Sequence, residues 1–116
     1  MKEISALVVG SKMDTLTNSI LSQIRSEIAR HRVTYSRKHD RSHNRGELAI
    51  AAACLAHPDR IYERVTYARG LMFKDPYPWA NKNYSTLEMK SNKSRRQQLI
   101  CAAALLVEEL ERLEEM

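Results

Sequence analysis

The sequence predicts an all-α fold: one small helical domain, residues 1–116, of three to four helices ending in a long C-terminal helix. Three observations support this. Leu16, Ile20, Ile24 and Ile28 recur at strict i, i+4 intervals, and Leu99, Ala102, Ala103, Leu106, Leu110 and Leu113 share one helical stripe. Ala51, Ala52, Ala53 and Cys54 match a second small-residue run, Cys101, Ala102, Ala103 and Ala104, and small side chains let helix axes approach closely. A chain of 116 residues with 43% hydrophobic content buries one modest core, with few aromatics to fill it.

The elements follow in order. Ile4 to Val9 is short, apolar and ends at Gly10, so it reads either as a short N-terminal strand or as the opening turn of a helix. Asp14 or Thr15 then caps a helix running to about Arg32. Val33 to Arg45 is a polar, basic connection. A second helix starts at Asn44 or Gly46 and stops at His57 and Pro58, because proline disfavours helical backbone before it. Residues Ile61 to Leu71 read as a further helix ended by Gly70, and Asp75 to Lys93 as an irregular stretch holding Pro76, Pro78, Trp79 and Tyr84. Ser94 caps the last helix.

That last helix carries its charges at the wrong ends. Lys90, Lys93, Arg95 and Arg96 crowd its start, while Glu108, Glu109, Glu111, Glu114 and Glu115 crowd its end against a lone Arg112. Helix dipoles favour the reverse order, at about 0.3 to 1 kcal/mol per charge. A partner is therefore expected, and the simplest is an anion held by Arg95 and Arg96 where free backbone amides converge.

The net charge of +5 favours phosphate-bearing partners. Arg25, Arg30, Arg32, Arg37, Lys38, Arg41 and Arg45, set against Glu27 and Asp40, supply all of that excess. Cys54 and Cys101 lie in alanine runs, where cysteine serves as a small hydrophobe in a reducing compartment. The longest apolar stretch, Leu99 to Val107, is too short to span a bilayer, and the N-terminus lacks a signal-peptide layout. A soluble intracellular protein is expected.

The runs HDRSHNRGELAIAAACLAHP from His39, PWANKNY from Pro78 and RRQQLICAAALLVEELERL from Arg95 resemble a family of small, mostly uncharacterised proteins of tailed phages and prophages. The resemblance covers roughly Ile24 to the C-terminus and leaves residues 1–23 outside. It implies a phage-encoded accessory protein in the cytoplasm of a bacterial host, countering host defence or redirecting host machinery. Where many relatives place a second tryptophan followed by Lys-Pro, this chain has Tyr84.

Two constellations compete for a site. His39, Asp40, His43 and Glu47 fall at spacings that put His43 and Glu47 on one helix face, and His57 with Asp59 could complete a metal-dependent nucleotide hydrolase. The bland alternative is a turn network in which Glu47 pairs with Arg95 or Arg96. Against it, Tyr77, Trp79 and Tyr84 lead directly into Lys93, Arg95 and Arg96, and aromatic faces stack on bases while guanidinium forks grip phosphates. The expected site for a nucleotide-like anion is Arg95, Arg96, Lys93, Trp79, Tyr84, His39, His43 and Glu47, without metal or cofactor. The leading expectation is sequestration of a host immune signal. The alternative is contact with nucleic acid or a host protein through Arg32, Arg37, Lys38, Arg41 and Arg45. The apolar stripes exceed what one thin core can cover, so a homo-oligomer is expected.

Overall fold

In a computed structural model, residues 2–35, 42–80 and 84–115 are described, with side chains from Asp14 onward and excepting that of Tyr67. The order is α1 (Lys2–Thr34), α2 (Glu47–Ala56), β1 (Glu63–Tyr67), β2 (Gly70–Lys74), α3 (Thr86–Ser91) and α4 (Arg95–Glu114). The fold is mostly helical but not purely all-α. Residues 4–9 belong to α1, which runs through Gly10 and Asp14 without the expected cap.

The core forms where α2 lies against α4. Leu48, Ala51, Ala52, Cys54 and Leu55 pack on Cys101, Ala102 and Leu105, with Met89 of α3 closing one side. The matched small-residue runs thus meet within one protomer, and Ala51 and Ala104 have no exposed surface. Gly46 precedes α2 at φ +77°, a left-handed conformation that favours glycine. Arg95, opening α4, donates to the carbonyls of Ala56 at 2.5 Å and His57 at 3.2 Å that close α2. The two helices are therefore antiparallel.

α1 also packs on α4 and runs parallel to it, from Glu27 near Cys101 to Arg32 beside Glu111. The face of α4 that turns inward is Cys101, Ala104, Leu105, Glu108 and Arg112. The expected stripe is thus corrected: Ala102 is buried and Ala103 half-buried, but Leu99, Leu106, Leu110 and Leu113 are exposed. In α1, Ile24 and Ile28 are half-buried while Leu16 and Ile20 face solvent. α1 pairs His31 with Glu108 and Arg32 with Glu111 at the acidic end of α4, and these ion pairs set which face turns inward.

The expected helix over 61–71 is instead a hairpin. Its register sets Glu63 opposite Lys74 and Val65 opposite Met72. Val65 and Thr66 are β-branched, and Gly70 adopts φ +121° directly after the two-residue turn. α3, read as irregular, begins with a capping box in which Glu88 accepts from the Ser85 amide at 2.9 Å. Asp75 anchors it, accepting from the Thr86 amide at 2.8 Å and the Thr86 hydroxyl at 2.5 Å. Buried Lys90 donates to the carbonyls of His57 and Asp59, tying α3 to the loop after α2.

Candidate functional site

A cavity of about 620 Å³ opens between the end of α1, the edge of the core and the side chains of Tyr77, Trp79 and Tyr84. Its base is apolar, with Leu48, Ala51, Leu55, Met89 and Leu105. Tyr35, His43, Tyr77, Trp79 and Tyr84 form its aromatic wall. Tyr77 joins this wall together, its ring centroid 5.5 Å from that of Trp79 and 6.0 Å from that of Tyr84, and His43 meets Trp79 edge-on at 5.4 Å. Edge-to-face contacts such as His43–Trp79 and Tyr77–Trp79 are among the favoured geometries of aromatic pairs. The local chain makes this possible because Asp75 also accepts from the Tyr77 amide at 3.0 Å, fixing the start of the aromatic segment.

A second cavity of about 510 Å³ lies along the groove between α1 and α4. Arg30, Lys93 and Arg96 bring three cations to it, beside Gln23, Glu27 and Gln97. Arg30, Lys93 and Cys101 border both cavities, so the aromatic space and the cationic space meet at these residues.

At that junction stands a cluster the sequence reading did not assemble. His31 Nδ1 lies 2.6 Å from Glu108 Oε1, Nε2 lies 3.0 Å from Glu27 Oε1, and Cys101 Sγ lies 4.0 Å from Nε2. Glu108 is buried, its carboxylate held between the two long helices. The Cys101 thiol and the Glu108 carboxylate push His31 up to about 10, so the ring is an imidazolium donating from both nitrogens. Arg30, first of all, and then His31 hold the Glu27 carboxyl below the usual range. Among the described residues, Glu27, His31 and Cys101 are the group whose ligand atoms converge closely enough to hold a metal ion, all within 4.8 Å of one another. The signals were present as the i, i+4 pair Glu27 and His31 and the i, i+7 pair Cys101 and Glu108; that α1 and α4 face each other was not.

The expected site is thus partly assembled. Trp79, Tyr84, His43 and Lys93 share the aromatic cavity, and Arg96 and Lys93 share the cationic one. Glu47 stands behind the site, 3.3 Å from His43 Nδ1, and accepts from the Arg45 amide at 2.6 Å. Burial opposes its charge, yet the Arg45 and Glu47 amides and His43 leave its carboxyl below the usual range. The expected pairing of Glu47 with Arg95 or Arg96 is corrected accordingly. Arg95 is also corrected: it caps α2 rather than gripping an anion, while Ser94 and Gln97 close a capping box at the start of α4. His57 turns its Nδ1 to the backbone of Asp59, at 3.0 Å from the amide, and joins no metal cluster among the described residues. Of the basic stretch, Arg32 pairs with Glu111 at 3.1 Å and Arg45 is exposed. His39, Asp40, Arg37, Lys38 and Arg41 lie outside the described residues.

No protein-family model, curated protein or solved structure matches the chain. No described helix is long and apolar enough to cross a membrane.

Proposed function

We propose that this protein binds a small nucleotide-like anion, its flat ring in the aromatic cavity and its phosphate in the cationic one. The observation that carries the reading is the sharing of Arg30 and Lys93 between the two cavities. A ligand with an aromatic base joined to a phosphate needs those two environments side by side, one offering stacking surface and the other charge-assisted donors. Trp79 and Tyr84 supply the stacking edge, and Lys93 with Arg96 receives the phosphate. Binding without turnover suits sequestration of a host signalling nucleotide by a phage accessory protein in the bacterial cytoplasm. The exposed leucine row of α4 supports assembly of the protein with a second copy of itself.

Trp79 is the sole tryptophan and lies in the proposed ring site, so its fluorescence reports that site alone. Titration with linear and cyclic nucleoside phosphates is expected to change it saturably, and Lys93→Glu to abolish the change. Mass spectrometry of small molecules released from protein purified from its host identifies the natural ligand. A panel of nucleotides that leaves Trp79 emission unchanged, together with an empty purified protein, overturns the reading.

A further inference from the structure

We propose that Glu27, His31 and Cys101 form a binding site for a zinc-class dication, with Glu108 as the carboxylate that fixes the His31 ring. The donors are one carboxylate oxygen, one imidazole nitrogen and one sulfur, the soft-to-borderline set that favours zinc or cobalt over magnesium or calcium. Tetrahedral zinc, with bonds of roughly 2.0 to 2.3 Å, separates its ligand atoms by roughly 3.3 to 3.8 Å. His31 Nε2 stands 3.0 Å from Glu27 Oε1 and 4.0 Å from Cys101 Sγ, straddling that interval, and all three ligand atoms lie within 4.8 Å of one another, so side-chain movements of about 1 Å bring them into place.

The surroundings match a metal site as closely as the donors do. A metal-bound histidine almost always gives its other ring nitrogen to a carboxylate or carbonyl. His31 does so, through Nδ1 to Glu108 at 2.6 Å, and the Glu108 side chain is 3% exposed. Glu27 is oriented as well: Arg30 holds its carboxylate with both ends of the guanidinium, Nε donating to Oε2 at 3.1 Å and Nη2 to Oε1, and that Oε1 is the oxygen that faces His31. Glu27 and His31 share a face of α1 through their i, i+4 spacing, and Cys101 comes from the parallel helix α4. A metal entering the site displaces the protons of His31 Nε2 and Cys101 Sγ to solvent, while Nδ1 keeps its proton for Glu108, and the resulting thiolate and carboxylate balance the charge of the dication. Three protein donors leave a fourth position for water or a ligand atom, the arrangement of catalytic rather than structural zinc. Cys101 borders both cavities, so that position opens on the space where a bound molecule would lie. The site stands on its own donors and holds whether or not the ligand is a nucleotide.

The test is cobalt substitution of the reduced full-length protein. One Co²⁺ per chain is expected to give a thiolate-to-cobalt charge-transfer band in the near ultraviolet and the intense visible bands of tetrahedral cobalt, both removed by zinc. Cys101→Ser should lose the charge-transfer band, while Cys54→Ser keeps it. Glu108→Gln should keep the band but weaken affinity 10- to 100-fold, the usual cost of losing such a supporting carboxylate. Circular dichroism of each variant checks that it is folded, and the wild-type spectrum decides the matter should a variant not be. No charge-transfer band from the wild type at millimolar Co²⁺, or a band that persists in Cys101→Ser, overturns the proposal.

Discussion

His31 Nδ1 donates to Glu108 Oε1 over 2.6 Å, joining the basic last turn of α1 to the acidic end of α4. Arg32 repeats the pattern one turn on, reaching Glu111 at 3.1 Å. The charge inversion of α4 is therefore answered inside the protein at both ends, by α1 at its C-terminus and by the carbonyl end of α2 at its N-terminus. Two parallel helices place their negative dipole ends together, and the cations of α1 offset that as well.

Removing Glu108 tests this answer. Glu108→Ala leaves a half-buried imidazolium facing Glu27 alone and should cost about 3 kcal/mol, the lower end for breaking a buried pair. Urea unfolding measures it. A loss below about 1 kcal/mol would show that the pair is as weak as an exposed one.

The two arginines that open α4 should behave differently. Arg95→Ala removes the donors that close α2 and is expected to cost about 1 kcal/mol. Arg96→Glu puts a carboxylate at the dipole's positive end on an exposed position, so it should leave stability unchanged or raise it by a few tenths, about 0.3 kcal/mol. Thermal melts that show Arg96→Glu to be the more damaging of the two would reverse these assignments.

How far the sequence carried the reading depended on whether the information was local. Ser94 marked the start of α4, Pro58 marked the end of α2, and the alanine runs found each other because smallness is a property of each helix alone. The hairpin is hard to read from the sequence because Ile61 to Leu71 mixes apolar and charged residues over a short span and holds only one adjacent β-branched pair, Val65 and Thr66. The inward face of α4 was misread for a different reason. Glu108 and Arg112 are buried there while four leucines are exposed; Arg112 pairs with Glu109 of its own helix, but Glu108 is answered across the helix contact by His31 of α1. The same absence hid the Glu27, His31 and Cys101 cluster, whereas Trp79, Tyr84 and Lys93 were legible because they lie close together in the chain.

Acid stability should depend on Asp75. Burial raises its carboxyl, but the Thr86 hydroxyl and amide, the Tyr77 amide and Arg60 outweigh this and hold it below the ordinary value of 3.8. A depressed folded value contributes stability that is present above the unfolded value and lost as pH falls through the folded one. Asp75→Asn should thus cost about 1 to 2 kcal/mol at neutral pH, because an amide cannot accept from all three donors, and the gap from wild type should shrink below about pH 4. A gap that stays constant down to pH 2, about two units lower, would remove Asp75 from that role.

Packing around α4 should tolerate no added volume. Ala104 has no exposed surface, so Ala104→Leu overpacks its surroundings and should cost about 1 to 3 kcal/mol. Ala103, one residue earlier, is only half-buried, and Ala103→Leu should cost less. Equal losses in denaturant unfolding would mean the two positions are equally confined.

The exposed leucines of α4 lead to the last prediction. Leu99, Leu106, Leu110 and Leu113 follow one another by seven, four and three residues, so they form a single row pointing away from the core. Leu110 is 60% exposed and Leu113 50%. Covering such a side chain is worth about 1 to 2 kcal/mol, and a two-fold axis beside this row would cover each leucine twice, once in each copy. Sedimentation equilibrium at micromolar concentration should therefore find a dimer. Leu110→Glu should convert it to a monomer through repulsion between the paired copies, while far-ultraviolet circular dichroism of the monomer stays that of the wild type. A wild type that sediments as a monomer at every concentration leaves the leucine row as solvent-exposed surface, and the assembly claim fails with it.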